Sequence, residues 1–115
     1  MVNLRRGDIF WVNLDPTIGS EIRKKRPAVV ISNDAANRRY DQITVVPLTT
    51  RKVDSVEPFQ AFVDQEESGL SKDSKALAEQ IRTVSKLRLG PRMGHVGGET
   101  MNKIEAAVKV HLDLT

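Results

Sequence analysis

The 115-residue chain contains no cysteine. Disulfide bridges, zinc–thiolate centres and cysteine nucleophiles are therefore excluded, and the composition suits a reducing cytoplasm. Aromatic residues are few: Phe10, Trp11, Tyr40, Phe59 and Phe62. Phe10 and Trp11 are neighbours on an expected strand, so their rings point to opposite faces. They cannot form the aromatic groove with which small β-modules take proline-rich peptides. No apolar run approaches the ~20 residues needed to span a bilayer, so no membrane partner is expected. Met1 to Asp15 alternates polar and apolar residues without an apolar core, so no secretory signal is expected either. Histidine occurs twice, at His95 and His111. Histidine is a common general base, but His95 lies in a Gly-rich turn and His111 sits one residue from an apolar helix stripe. Both read as structural or surface groups. The acids are scattered. Asp64, Glu66 and Glu67 share a polar loop without the spacing of a ligand set, so no metal or other cofactor is expected.

What is present fits one small globular domain over residues 1–115. A hydrophobic share of 39% beside a charged share of 29% argues against disorder. A chain this short buries only a modest core, so an obligate partner or a homodimer would add needed buried surface. The net charge of +3 and pI near 9.4 are compatible with a nucleic-acid partner, because phosphates are met by Lys, Arg and backbone donors. The cations cluster at Arg23 to Arg26, Arg38–Arg39 and Arg51–Lys52.

Period-2 and β-branched patterning predicts strands at Ile9–Leu14, Pro27–Ser32, Ile43–Thr49 and Phe59–Val63. Asp15–Pro16 stops the first. Thr17–Lys25 shows no period and reads as a long mobile loop. Asn33–Asp34 marks a turn, and Ala35–Gln42 reads as a connecting loop. Pro47 predicts an edge position, a bulge or a strand end. Ala76–Val84, after a turn at Gly69–Asp73, fits a strand better than a short helix. After Gly97–Gly98, Met101, Ile104, Val108 and Leu112 recur at helical spacing, with Thr100 as the expected N-cap. The whole reads as a mainly β (α+β) fold, a small SH3-like antiparallel β-barrel closed by a C-terminal helix.

One segment concentrates candidate chemistry. Arg26 precedes Pro27 at the mouth of a buried strand, where its backbone is rigidly held. A guanidinium is permanently charged and presents a planar fork of donors suited to a phosphate. Ser20 and Glu21 lie upstream on the polar loop, and Thr49 offers a hydroxyl at the end of another strand. Residue types alone leave a second reading open, in which Arg26 pairs with a surface acid and Thr49 caps a turn.

The order of the segments adds to this. The chain runs from Arg6-Gly7-Asp8-Ile9 through Asn13–Glu21 and Lys25–Asp34 to Val46-Pro47-Leu48-Thr49-Thr50. It continues to Glu79-Gln80-Ile81-Arg82-Thr83-Val84, Arg88-Leu89 and the closing helix. Over nearly its whole length it resembles the MazF/PemK/Kid toxin family. The resemblance implies a homodimer of SH3-like barrels in the bacterial cytoplasm. It implies an endoribonuclease, an mRNA interferase that cuts single-stranded mRNA at a short base sequence, and a cognate antitoxin that masks the RNA groove. It places the family's catalytic arginine on Arg26 and its catalytic threonine on Thr49. The RNA-contacting Ser–Glu pair falls on Ser20 and Glu21, the acid–Gln pair on Glu79 and Gln80, and Asn33 lies in a matching block.

Some members carry a histidine where this chain has Ser20, and another branch an arginine where it has Leu77. The group that takes the proton, Glu21 or Glu79, therefore stays open. The expected chemistry is in-line attack of the RNA 2′-hydroxyl on phosphorus, giving a 2′,3′-cyclic phosphate and a 5′-hydroxyl, with the Thr17–Lys25 and Asn33–Gln42 loops as groove walls. Two rival readings use the same barrel: a CcdB-like gyrase poison, and a non-enzymatic interaction module. Neither needs the Arg26–Thr49 pair.

Overall fold

The computed structural model describes residues 3–114. Alternating apolar residues form β1 (Asp8–Asn13), β2 (Lys25–Val30), β3 (Gln42–Thr49), β4 (Gln60–Val63), β5 (Ser74–Leu77), β6 (Arg82–Ser85) and β7 (Leu89–His95). Three α-helices, α1 (Asp34–Arg39), α2 (Gln65–Ser68) and α3 (Gly98–Leu112), and two 3-10 turns at Ala78–Gln80 and Lys86–Arg88 complete the elements among the described residues. The strands run antiparallel in the order β4-β5-β3-β2-β1-β7, with β6 also on β3. The expected barrel is present as a strongly β, helix-covered sheet, but β4 and β7 do not pair, so it is not closed.

Both faces of the sheet are buried, because neighbouring residues on its central strands point in opposite directions. Ile9, Val29, Val46, Leu48 and Val63 pack with Met101, Ile104 and Ala107 of α3. Phe10, Val12, Ala28, Val30, Ile43 and Val45 form the other layer with Leu14 and Val84. Fully burying one such aliphatic side chain is worth roughly 1.5–3 kcal/mol. Strand β3 supports two partners along one edge. Its residues up to Val45 pair with β6, and those from Leu48 pair with β5. Pro47 falls between the two ladders. The Thr44 carbonyl accepts from the Ile31 amide on the β2 side, so by alternation the missing N–H of Pro47 faces the gap. A proline is thereby accommodated in a central strand, not only at the edge, bulge or strand end its type suggested.

Three local expectations are corrected. Ala35–Gln42 is not a loop: Asp34–Arg39 is helical, and the Asn33 side chain caps it by accepting from the Ala36 amide at 2.8 Å. Asp34 in its first turn and Arg38 and Arg39 in its last complement the helix dipole. Six residues are too few to show a period. Ala76–Val84 is not one strand but β5, a 3-10 turn at Ala78–Gln80, and β6. Thr100 is not the N-cap of α3. Gly97 holds that position, and Thr100 instead donates to Glu67, which also accepts from the Gly97 amide. Leu112 ends the α3 stripe exposed, while Ala107 takes the buried place. Of the loop acids, Asp64 caps α2 through the Glu66 amide and Glu67 anchors α3, so both are structural.

The β1–β7 end carries a polar cluster. Asp8 is buried; its Oδ1 accepts from His95 Nδ1 at 2.8 Å and from Arg92 at 3.1 Å, and its Oδ2 from the Arg5 amide at 2.9 Å. His95 is thus structural, and His111 is exposed on α3. Burial pushes the Asp8 carboxyl up, but the bonds from His95, the Arg5 amide and Arg92 outweigh it and hold it below 3.8. A depressed carboxyl stabilises the fold above its unfolded value, and that contribution is lost as pH falls through the native value. Asp8→Asn should therefore lower the urea midpoint at pH 7, and the gap to the unsubstituted chain should narrow below about pH 4. An unchanged gap at pH 3 would show that Asp8 contributes only by packing.

Candidate active site

Strands β2 and β3 pair Ala28 with Pro47 and Val29 with Val46. Extending that register beyond the ladder sets Arg26 directly across from Thr49. Val12 of β1 lies on the other side of Arg26, and Lys75 of β5 on the other side of Thr49. The strand-mouth position of Arg26 thus acquires a partner on the adjacent strand.

Arg26 is half-buried, and its Nε donates to the Arg23 carbonyl at 3.0 Å. That bond fixes the guanidinium plane and leaves the two terminal nitrogens to face a ligand. Arg26 forms no ion pair among the described residues, which removes the surface-pair reading. Thr49 is nearly buried, and its Oγ1 accepts from the Arg51 amide at 3.1 Å. Accepting orients the hydroxyl, whose proton then stays available to donate.

The loop between β1 and β2 stands over this pair. Lys24 adopts a positive φ of 67°, an uncommon conformation for a side chain of its type. Its amide donates to Asp15 and its carbonyl accepts from Leu14. These bonds close the loop and turn the chain into β2. Glu21 is exposed, and its Oε1 accepts from the Ile18 amide at 2.6 Å. Gln80 holds the loop from below: its Oε1 accepts from the Ile22 amide at 3.1 Å, and its Nε2 reaches the Ser20 carbonyl at 3.5 Å. Arg82 adds a bond to the Leu14 carbonyl. The loop that reads as unstructured in sequence is therefore tied to the sheet at several points.

Arg26, Thr49, Ser20, Glu21 and Gln80 share one open hollow of about 510 Å³. Six cationic side chains (Arg23, Lys24, Arg26, Arg51, Lys52 and Lys75) line it, against a single carboxylate, Glu21. Such a lining suits a polyanion. Glu79 stands apart from this hollow. It lines an adjoining one with Ser20, Glu21 and Gln80, and its Oε2 accepts from Gln60 at 2.9 Å. Its Oε1 is the buried side-chain oxygen without a partner among the described residues. Asn33 is not brought to the site. It follows the far end of β2, roughly 20 Å from Arg26 along an extended chain, and its side chain is used by α1. Within the protomer the Asn33–Gln42 segment lies at that same far end of β2. No group of three metal-ligating side chains occurs among the described residues.

Sequence reading missed Lys75, Gln60, and the place of Arg51 and Lys52 in the hollow. None lies in a recognisable motif; the pairing of β5 with β3 sets Lys75 beside Thr49, and that of β4 with β5 brings Gln60 to the same hollow.

Similarity to known proteins is consistent along the chain. The family described as PemK-like, MazF-like toxin of type II toxin-antitoxin system matches residues 5–112. The chain is 44% identical to Endoribonuclease MazF9 of Mycobacterium tuberculosis, over 96% of this chain and 98% of that protein. It is 35% identical to Endoribonuclease EndoA of Bacillus subtilis, over 96% of each. A solved mycobacterial endoribonuclease in complex with its cognate antitoxin superposes with a TM-score of 0.77 at 28% identity, covering 97% of both chains.

Gln80→Ala should release the loop without unfolding the sheet. Exchange of the Ile22 amide should quicken about fivefold, the equivalent of one ordinary hydrogen bond. Unaltered exchange at Ile22 would show that Gln80 does not hold the loop.

Proposed function

The chain belongs to the PemK-like, MazF-like toxins of type II toxin–antitoxin systems, and we propose that it is a metal-independent, sequence-specific endoribonuclease acting on single-stranded mRNA. The observation that carries this reading is Arg26 facing Thr49 in a hollow whose charged lining residues are six cations and one carboxylate.

The scissile phosphate sits between these two side chains. The RNA 2′-oxygen attacks the adjacent phosphorus, the bond from phosphorus to the 5′-oxygen breaks, and that oxygen takes a proton from the Arg26 guanidinium, which recovers one from water. The products are a 2′,3′-cyclic phosphate and a 5′-hydroxyl. The terminal nitrogens of Arg26 stabilise the negative charge that builds on the non-bridging oxygens. Because that charge is neutralised by a fixed guanidinium, the step requires no metal ion. Thr49 donates its hydroxyl proton to a phosphate oxygen and fixes the phosphate's position.

Glu21 takes the 2′-proton, in preference to Glu79, because it shares the hollow with Arg26 and Thr49 whereas Glu79 does not. With Oε1 held by Ile18, its Oε2 remains for the substrate. Ser20, Gln80 and Glu79 lie along the adjoining hollow and read the flanking bases, which a single strand exposes.

The cognate antitoxin silences the toxin by covering this groove. The toxin acts as one domain and as a homodimer in the bacterial cytoplasm, where mRNA is found. No helix among the described residues is long and apolar enough to cross a membrane.

Purified protein free of antitoxin, incubated with a long RNA in EDTA, should cut at one short motif and leave 2′,3′-cyclic phosphate ends. Intact RNA in that assay would overturn the reading. Arg26→Ala should slow cleavage by about 10²–10³-fold with an unchanged circular-dichroism spectrum. Loss of the fold in that variant would return Arg26 to a structural role.

A further inference from the structure

Lys75 is the sole lysine or arginine among the buried residues described, with 6% of its surface exposed. Lysine is rarely buried to this degree without an acidic partner. Lys75 forms no ion pair among the described residues. Its Nζ donates to the Ser55 carbonyl at 2.7 Å. An ammonium carries three donors, so that bond holds the head group in place and leaves donor capacity unused.

The sheet fixes where that capacity points. Lys75 is the direct partner of Thr49 on β3 and of Phe62 on β4. Ala76, its neighbour in sequence, points into the core beneath α3, so Lys75 points to the opposite face. On that face it lines the same hollow as Arg26, Thr49, Arg51 and Gln60. A desolvated cation beside the scissile-phosphate position, with no counter-charge of its own, is complementary to an anion supplied from outside. Moving a charge out of water is unfavourable unless an opposite charge or further hydrogen bonds offset it.

We propose that Lys75 is an RNA-binding residue that contacts the backbone phosphate next to the one held by Arg26 and Thr49, and so sets how the strand is threaded through the active site. This rests on the endoribonuclease reading of the same hollow. A phosphate contact carries no base information, so Lys75 contributes affinity and register, while the recognised sequence is read elsewhere in the groove.

The test compares the unsubstituted protein with Lys75→Met and Lys75→Arg. The probe is a short RNA containing the mapped cut motif, with a 2′-deoxy nucleotide at the cleaved position so that it binds without reacting. Dissociation constants are measured by fluorescence anisotropy from 50 to 300 mM salt. Each phosphate contact on a single strand contributes about 0.7 to the slope of log affinity against log salt. Lys75→Met should flatten that slope by about 0.7 and weaken binding about fivefold near 0.1 M salt. Lys75→Arg should restore the slope. With cleavable RNA the loss should appear in KM more than in kcat, as expected of uniform binding, and the cut motif should be unchanged. Lys75→Met should melt at the same temperature or higher, because an uncompensated buried charge is removed.

An unchanged salt slope in Lys75→Met, with the unsubstituted protein cleaving normally, overturns the assignment while the endoribonuclease reading stands. A lowered melting temperature together with failure of Lys75→Arg to restore the slope also overturns it, and makes Lys75 a scaffold for Ser55. If the unsubstituted protein neither cuts nor binds RNA, the parent reading fails first.

Discussion

The antiparallel register between β2 and β3 is the constraint on which the rest depends. One pairing, Ala28 with Pro47, aligns the core residues of both strands and, at their ends, sets Arg26 opposite Thr49. Because side chains alternate with a period of two, a slip of one residue would send every inward group outward. Val29, Val46 and Leu48 would leave the layer beneath α3, and Arg26 would leave the hollow. The same apolar burial that holds the sheet therefore holds the geometry proposed for catalysis.

Around that fixed pair the polar groups are assembled from distant parts of the chain. Gln80 reaches back to the amide of Ile22, and Arg82 to the carbonyl of Leu14. Each is an ordinary hydrogen bond, worth ~1 kcal/mol by itself. Their combined effect is to hold Ser20 and Glu21 over a rigid floor. The 3-10 turn at Ala78–Gln80 makes this possible, because it directs Gln80 to the loop while Glu79 turns to Gln60. A continuous strand there would have sent adjacent side chains to opposite faces.

The charge distribution separates two kinds of polar group. Asp8 is surrounded by donors and finishes satisfied, as a group that serves stability should. Arg26, Lys75 and the Oε1 of Glu79 finish incompletely satisfied, all at or beside the hollow. Sites of this kind trade folding stability for affinity toward a ligand that completes them. Two relatives are named endoribonucleases, and a mycobacterial endoribonuclease has been solved in complex with its cognate antitoxin.

Much of this was legible in the linear chain, and the boundary follows the range of the interactions. Absence of cysteine, the β-branched run behind Pro27 and the helical stripe of Met101, Ile104, Val108 and Leu112 are statements about residues close together. They determined the chemistry excluded, the strand type, and the covering helix. The order of the segments added the family and, with it, Arg26 and Thr49 as candidates. What only tertiary structure decided involves residues far apart. A six-residue helix replaced the loop after Asn33 and drew that side chain away as a cap. The strand expected at Ala76–Val84 is broken by the 3-10 turn Ala78–Gln80, from which Gln80 reaches Ile22. Lys75 was invisible as a site residue, since in sequence it is an ordinary lysine after a turn. Its burial beside Thr49 comes from strand pairing, a contact between segments that no local pattern records.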